Sequence, residues 1–176
     1  MRSVIDLHPG PGAGFDEPFE MLEACHERVE RMLVLLQRLP AHLSTHGADE
    51  QARQAARDVM RYFDLAAPDH HEDEERHVLP CLREHGQAAL AERVLREHVA
   101  MATAWAEVRA VLQGVEQGRC GVDGAVLARQ WRAFAALYRE HVALEDREVF
   151  PIAREHTGAE GLRAMADEMA RRRGVR

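Results

Sequence analysis

Two stretches of this 176-residue chain match each other in the residues that bear chemistry. His70 is followed by Glu74 and Pro80, and 71 residues further on His141 is followed by Glu145 and Pro151. Two lone histidines repeat at nearly the same interval, His26 and His98, 72 residues apart. Residues four apart lie one above the other on a helix face. Each His-x-x-x-Glu therefore aims an imidazole and a carboxylate in one direction. Each half of the repeat needs one helix for its lone histidine and one for its pair. The chain is thereby constrained to four helices with their polar groups facing a common point.

The rest of the sequence agrees with an all-α fold. Ala, Leu, Arg and Glu dominate, Gly (12) and Pro (7) are sparse and mostly bunched, and aromatics make up only 5%. Such residues lose little freedom in a helix. Asp16 can cap a first helix, in which Phe19, Leu22, His26, Val29 and Leu33 follow at helical spacing and which Leu39-Pro40 should end. A second helix starts near Asp49 with Val59, Phe63 and Ala66 on its inner face. Ala67-Pro68 should break or kink it before it resumes through His70 to about Arg83. A third runs from about Gln87 to Glu116. A fourth, capped by Asp123, carries Phe134, Leu137, Tyr138, His141, Leu144 and Glu145 to about Glu155. Short connections favour an up-down-up-down four-helix bundle with a short extra C-terminal helix. Residues 1–15 read as a flexible leader, 16–156 as the bundle, and 157–176 as the C-terminal helix and a basic, solvated tail.

Composition removes several functions. A net charge of −7 disfavours nucleic-acid binding, which needs a basic face. No apolar run approaches the ~20 residues that span a bilayer, so a membrane role is not expected. Cys25, Cys81 and Cys120 are odd in number and lack CxxC spacing, which excludes a disulfide framework or zinc knuckle and points to a reducing cytoplasm. The anomaly is the 11 histidines.

His26, His70, Glu74, His98, His141 and Glu145 together supply four neutral nitrogens and two carboxylates. Two anions in an apolar core would be costly without counter-charge. Two divalent metals bridged by the carboxylates would satisfy them. Imidazole plus carboxylate without thiolate suits iron or manganese and permits zinc.

These residues resemble the hemerythrin-like family with its HHE cation-binding motif. The likeness rests on Cys25-His26-Glu27-Arg28-Val29, on His70-His71-Glu72-Asp73-Glu74-Glu75 running to Val78-Leu79-Pro80, on Glu97-His98, and on His141 to Asp146 running to Val149-Phe150-Pro151. It covers about residues 16–156. The resemblance implies an up-and-down bundle around a non-haem di-iron centre, with His26, His70, His98 and His141 as histidine ligands and Glu74 and Glu145 as bridging carboxylates. There are two departures. Oxygen-carrying hemerythrins have a second histidine four residues after the one on the third helix, where this chain has Ala102, which argues against simple reversible oxygen carriage. They also carry His-x-x-x-x-Asp on the last helix, a spacing that His141 and Asp146 fit. The internal repeat favours Glu145, with Asp146 in reserve.

Other candidates stay open. His71 lies about 100° round the helix from His70 and either replaces the donor missing at Ala102 or is an outer or surface histidine. Glu30 could reach the cluster or pair with an arginine. Tyr138 and Trp105 are core residues or shields of a reactive centre. Cys25 reads as a buried structural thiol, and His77, His85 and His156 as solvated residues near helix ends.

The leading expectation is a protein that is not primarily an enzyme. Its di-iron site would bind dioxygen, nitric oxide or peroxide in sensing, storage or stress defence. The alternatives are a peroxide-decomposing or oxidising di-iron enzyme, and an iron-responsive structural or interaction module.

Overall fold

The computed structural model describes residue 14, residues 16–119, residue 121 and residues 123–175; Cys120, His8 and almost all of the expected leader lie outside the described residues. Helix α1 spans Pro18–His46. A second rod is continuous from α2 (Glu50–Arg61) through α3 (Ala67–Asp73) to α4 (Leu79–Glu84). Helix α5 is Ala88–Glu116, and a fourth rod joins α6 (Gly124–Leu144) to α7 (Phe150–His156). Helix α8, Ala159–Arg172, follows. α1 packs on α2 and α6, and α5 packs on the same two, which closes an antiparallel four-rod bundle. There is no strand among the described residues.

Asp49 and Asp123 cap as expected, their carboxylates accepting from the backbone N–H groups of Ala52 and Ala125. The first helix differs. Its cap is Glu17, without a side-chain bond, ahead of Pro18. It also runs through Pro40 to His46 instead of ending there. Leu36, Leu39 and Leu43 continue one buried stripe past the proline. Burying Leu43, at about 1.5–3 kcal/mol, offsets much of the ~3 kcal/mol of an interior proline. The reversal comes at Gly47, whose φ of 68° suits glycine.

Pro68 does not break the second rod. A π turn, Tyr62–Ala66, precedes α3, and Ala67 N–H donates to the Tyr62 carbonyl. The same device recurs at Glu74–Val78, where Leu79 N–H reaches Glu74 O, and at Glu145–Val149, where Phe150 N–H reaches Glu145 O. A proline stands two residues after the end of each turn: Pro68, Pro80 and Pro151. In an α-helix the proline ring would press on the carbonyl four residues back and offer it no N–H. The widened turn shifts the bonding by one residue and lets the rod continue. The proline six residues after each repeated Glu thus marks a π turn that starts on that Glu.

Two apolar clusters fill the bundle. One holds Phe63, Met101, Trp131, Phe134 and Tyr138, and the other Leu22, Leu79, Val94, Leu144 and Phe150 with Met165 and Met169 of α8. Along every rod the repeated His and Glu residues fall between them. No helix among the described residues is long and apolar enough to cross a membrane.

Candidate metal centre

The six residues picked out by the repeat meet in this polar layer. His26, His70, His98 and His141 are buried, and Glu74 and Glu145 are 0% exposed. They form two four-residue groups that share both glutamates: His26, His70, Glu74, Glu145 and Glu74, His98, His141, Glu145. Within each group the donor atoms lie within 4.8 Å of one another.

The carboxylates divide their oxygens between the groups. Glu74 places Oε1 3.2 Å from Nε2 of His70 and Oε2 3.3 Å from Nε2 of His98. Glu145 places Oε2 3.2 Å from Nε2 of His26 and Oε1 2.8 Å from Nε2 of His141. Yet all four carboxylate oxygens, with Nε2 of His98 and His141, are buried and make no hydrogen bond among the described residues. Nε2 of His26 also faces Nε2 of His70 at 3.2 Å. Lone pairs that converge without aligning on a donor fit a cation at the focus of each group, because buried polar atoms otherwise find hydrogen-bond partners.

The outer faces of the imidazoles are held in turn. His26 Nδ1 donates to Asp146 at 2.9 Å, His98 Nδ1 to Glu75 at 2.8 Å, and His141 Nδ1 to Glu97 at 2.8 Å. A proton held on Nδ1 by the carboxylate makes Nε2 the inward donor once an entering ion displaces the proton there, the usual arrangement behind a metal-ligating histidine. Asp146, the reserve candidate, therefore stands behind His26 and belongs to neither four-residue group. His70 Nδ1 is buried without a hydrogen bond.

The two glutamates load the metal-free centre with protons. Burial opposes a charged imidazole, but Glu145 and Glu74 outweigh it and raise His26 to about 9 and His98 to about 10. His141 is raised in the same way. His70 and His71 are held neutral by burial and by the neighbouring imidazoles, His71 down to about 3. Burial and the facing Glu145 charge push the Glu74 carboxyl up, whereas His141, His26 and His98 overcome burial and hold Glu145 low.

The remaining candidates separate. Glu30 pairs with Arg139 at 2.7 Å on the surface. Cys25 is buried, and burial raises its thiol pKa, as a structural thiol requires. Trp105 donates its Nε1–H to Asp64 at 2.9 Å. Tyr138 packs on Phe63 and Phe134 and, with His26, Val29, Leu33, Val142 and Asp146, lines a cavity of about 150 Å³ between α1 and α6. His85 and His156 are exposed and stack on each other with ring centroids 4.0 Å apart.

Two expectations are corrected. Two arginines of the C-terminal basic run are not solvated: Arg172 and Arg173 both grip Asp73, which is 0% exposed and directly precedes Glu74, whereas Arg171 is exposed. His77 is not solvated either, since it pairs with Glu168 of α8 at 2.9 Å. A buried acid such as Asp73 requires a cationic partner. Nothing in the sequence distinguished it from its neighbours, the half-buried Glu72 and the exposed Glu75.

The family model of the hemerythrin HHE cation binding domain matches residues 17–153. An uncharacterized protein of Haemophilus influenzae is 32% identical over 174 residues, covering 97% of this chain and 98% of its own length.

Proposed function

The chain belongs to the hemerythrin HHE cation-binding family and is a metal-binding protein, and from that premise we propose that it holds two ions as a carboxylate-bridged pair, iron before manganese or zinc. His26 and His70 hold one ion and His98 and His141 the other, with Glu74 and Glu145 spanning both. The observation that supports a pair is the division of each buried glutamate's oxygens between two histidine pairs. A single ion would leave one oxygen of each carboxylate buried and unpaired.

Four protein donors per ion leave room for a small molecule, and the cavity beside His26 gives such a molecule a place next to the centre. The function proposed is binding of dioxygen, nitric oxide or peroxide, in oxygen or redox sensing, storage or defence against oxidative or nitrosative stress. When bound, reduced iron supplies the electrons that such ligands draw on. The protein holds the imidazoles in one tautomer through Asp146, Glu75 and Glu97, and excludes bulk water with the two apolar clusters.

Elemental analysis of the purified protein, with optical spectra in reduced, air-exposed and peroxide-treated forms, tests this function. Two irons per chain and a stable spectrum after air is admitted to the reduced protein are the expected result. One ion per chain, or immediate irreversible oxidation, refutes it. Ala102 favours a second reading, a peroxide-decomposing enzyme, because α5 then brings one imidazole rather than two. Oxygen release from added peroxide no faster than that of His141→Ala would eliminate it.

A further inference from the structure

We infer that α8 is a strap that positions Glu74, so that docking of the C-terminal helix and ion binding are coupled; this rests on the two-ion centre proposed above. The contacts of α8 bracket Glu74 on its own rod. Before it, the buried carboxylate of Asp73 accepts from Arg172 and from both Nη atoms of Arg173, the latter at 3.0 and 2.6 Å. After it, Glu168 pairs with His77 at 2.9 Å and with Arg76 at 3.6 Å. Met165 and Met169 seat the same helix on the apolar cluster that holds Leu79.

The bracketed segment is one whose register must be held. Glu74 opens the π turn Glu74–Val78, an α-helix carrying one extra residue. Passing that residue one step up the rod would turn Glu74 by about 100° and carry its carboxylate away from His70 and His98. The matching turn of the second half is anchored differently. Leu144, 1% exposed, stands where the first half has Asp73 and packs in the core. Arg147 and Glu148, at the positions of Arg76 and His77, make no ion pair or side-chain hydrogen bond among the described residues. A leucine seats its turn by itself, whereas a buried acid seats only with its cations in place. Glu145 is thus aimed from inside the bundle, and Glu74 only while α8 is docked. Undocking leaves Glu74 less well aimed and lowers ion affinity. By linkage, loading holds α8 down by the same factor.

Hydrogen exchange in the full chain, metal-free and loaded anaerobically with ferrous ion, tests the strap. It is read for α8 amides that exchange faster than those of α5, so that opening of α8 rather than of the whole bundle is measured. Loading is expected to slow them by at least ~5-fold, the low end of coupling between two sites. Asp73→Leu with Glu168→Gln removes both grips without stranding a buried charge, and circular dichroism of the metal-free variant checks its folding. In that variant α8 exchange should cease to respond to loading. Its ferrous affinity, measured against a competing chelator, should fall by the factor that loading imposed on α8 in the wild type. A purely structural α8 would loosen in the variant without changing affinity, which overturns the inference. Wild-type α8 exchange that is the same with and without two ions bound overturns it too, and leaves the paired centre intact. A single ion per chain, with α8 slowed by loading, supports the strap and refutes the paired centre.

Discussion

The two halves of the repeat agree where they touch the centre and part company one layer out. Glu74 and Glu145 each open a π turn, and Pro80 and Pro151 each follow it. The residue after each glutamate reaches across to the other half: Glu75 backs His98, and Asp146 backs His26. The layer behind these is unequal. Glu97, just before His98, backs His141, but the matching position before His26 is Cys25, and among the described residues no carboxylate stands behind His70. Asp73 sits where the second half has Leu144, and His71 where it has Val142. The symmetry is therefore that of the metal-facing skeleton, and the asymmetry gives each half a separate task. The first half carries the latch to α8, and the second the more firmly backed histidines.

The largest expected effect breaks the comparison at Asp73. Removing both arginines, Arg172→Ala with Arg173→Ala, leaves a buried carboxylate unpaired and should cost about 3–5 kcal/mol in denaturant unfolding of the metal-free protein. Asp73→Leu copies the second half and should cost less, because it removes the buried charge itself and leaves Arg172 its pairing with Glu168. Equal losses from the two changes would refute the clamp.

The next effect concerns the outer carboxylates. Glu97→Gln should lower metal affinity by about 10–100-fold, whereas Cys25→Ala should leave it nearly unchanged, as chelator competition would show. Glu75→Gln and Asp146→Asn, being equivalent positions, should weaken binding to similar degrees.

Metal uptake should also depend on pH in a defined direction. His26 and His98, raised to about 9 and about 10, carry protons in the metal-free protein at neutral pH. An entering ion must displace them, so affinity should climb by up to about tenfold per pH unit for each proton displaced and level off above that range. Proton release measured in a pH-stat during loading checks the sign, and absence of release at pH 7 would contradict it.

The smallest effect distinguishes the latched half from the free one. Burial raises Glu168, but hydrogen bonds from His77 and Arg172 overcome this and lower it to about 2. A carboxyl lowered on folding stabilises fully above its ordinary value of 4.5, and that contribution fades as pH falls from there towards 2. With Glu168 24% exposed, screening limits it to about 1 kcal/mol. Amide exchange in α8 should quicken over that window more than in α7.

Much of this could be read from the sequence because the buried His and Glu residues repeat. A chance His-x-x-x-Glu is common, but its second copy, with His26 and His98 at the same interval, singled out the residues that meet. The outer carboxylates were not legible. Glu75, Glu97 and Asp146 look like any solvated acid until the bundle brings another half's histidine against them. Pro40 and Pro68 misled, since the rule that proline ends helices neglects what packing and a π turn can absorb. The role of Arg172 and Arg173 was hidden because a charge run reveals nothing of its distant acid, Asp73.

The polar layer divides the apolar core into two clusters that each close on their own. The consequence concerns turnover. Each end retains its buried contacts when the middle loosens, so opening at the seam is a local event rather than an unfolding one. Metal exchange should follow that local opening, so loss of metal to a chelator should run faster than global unfolding.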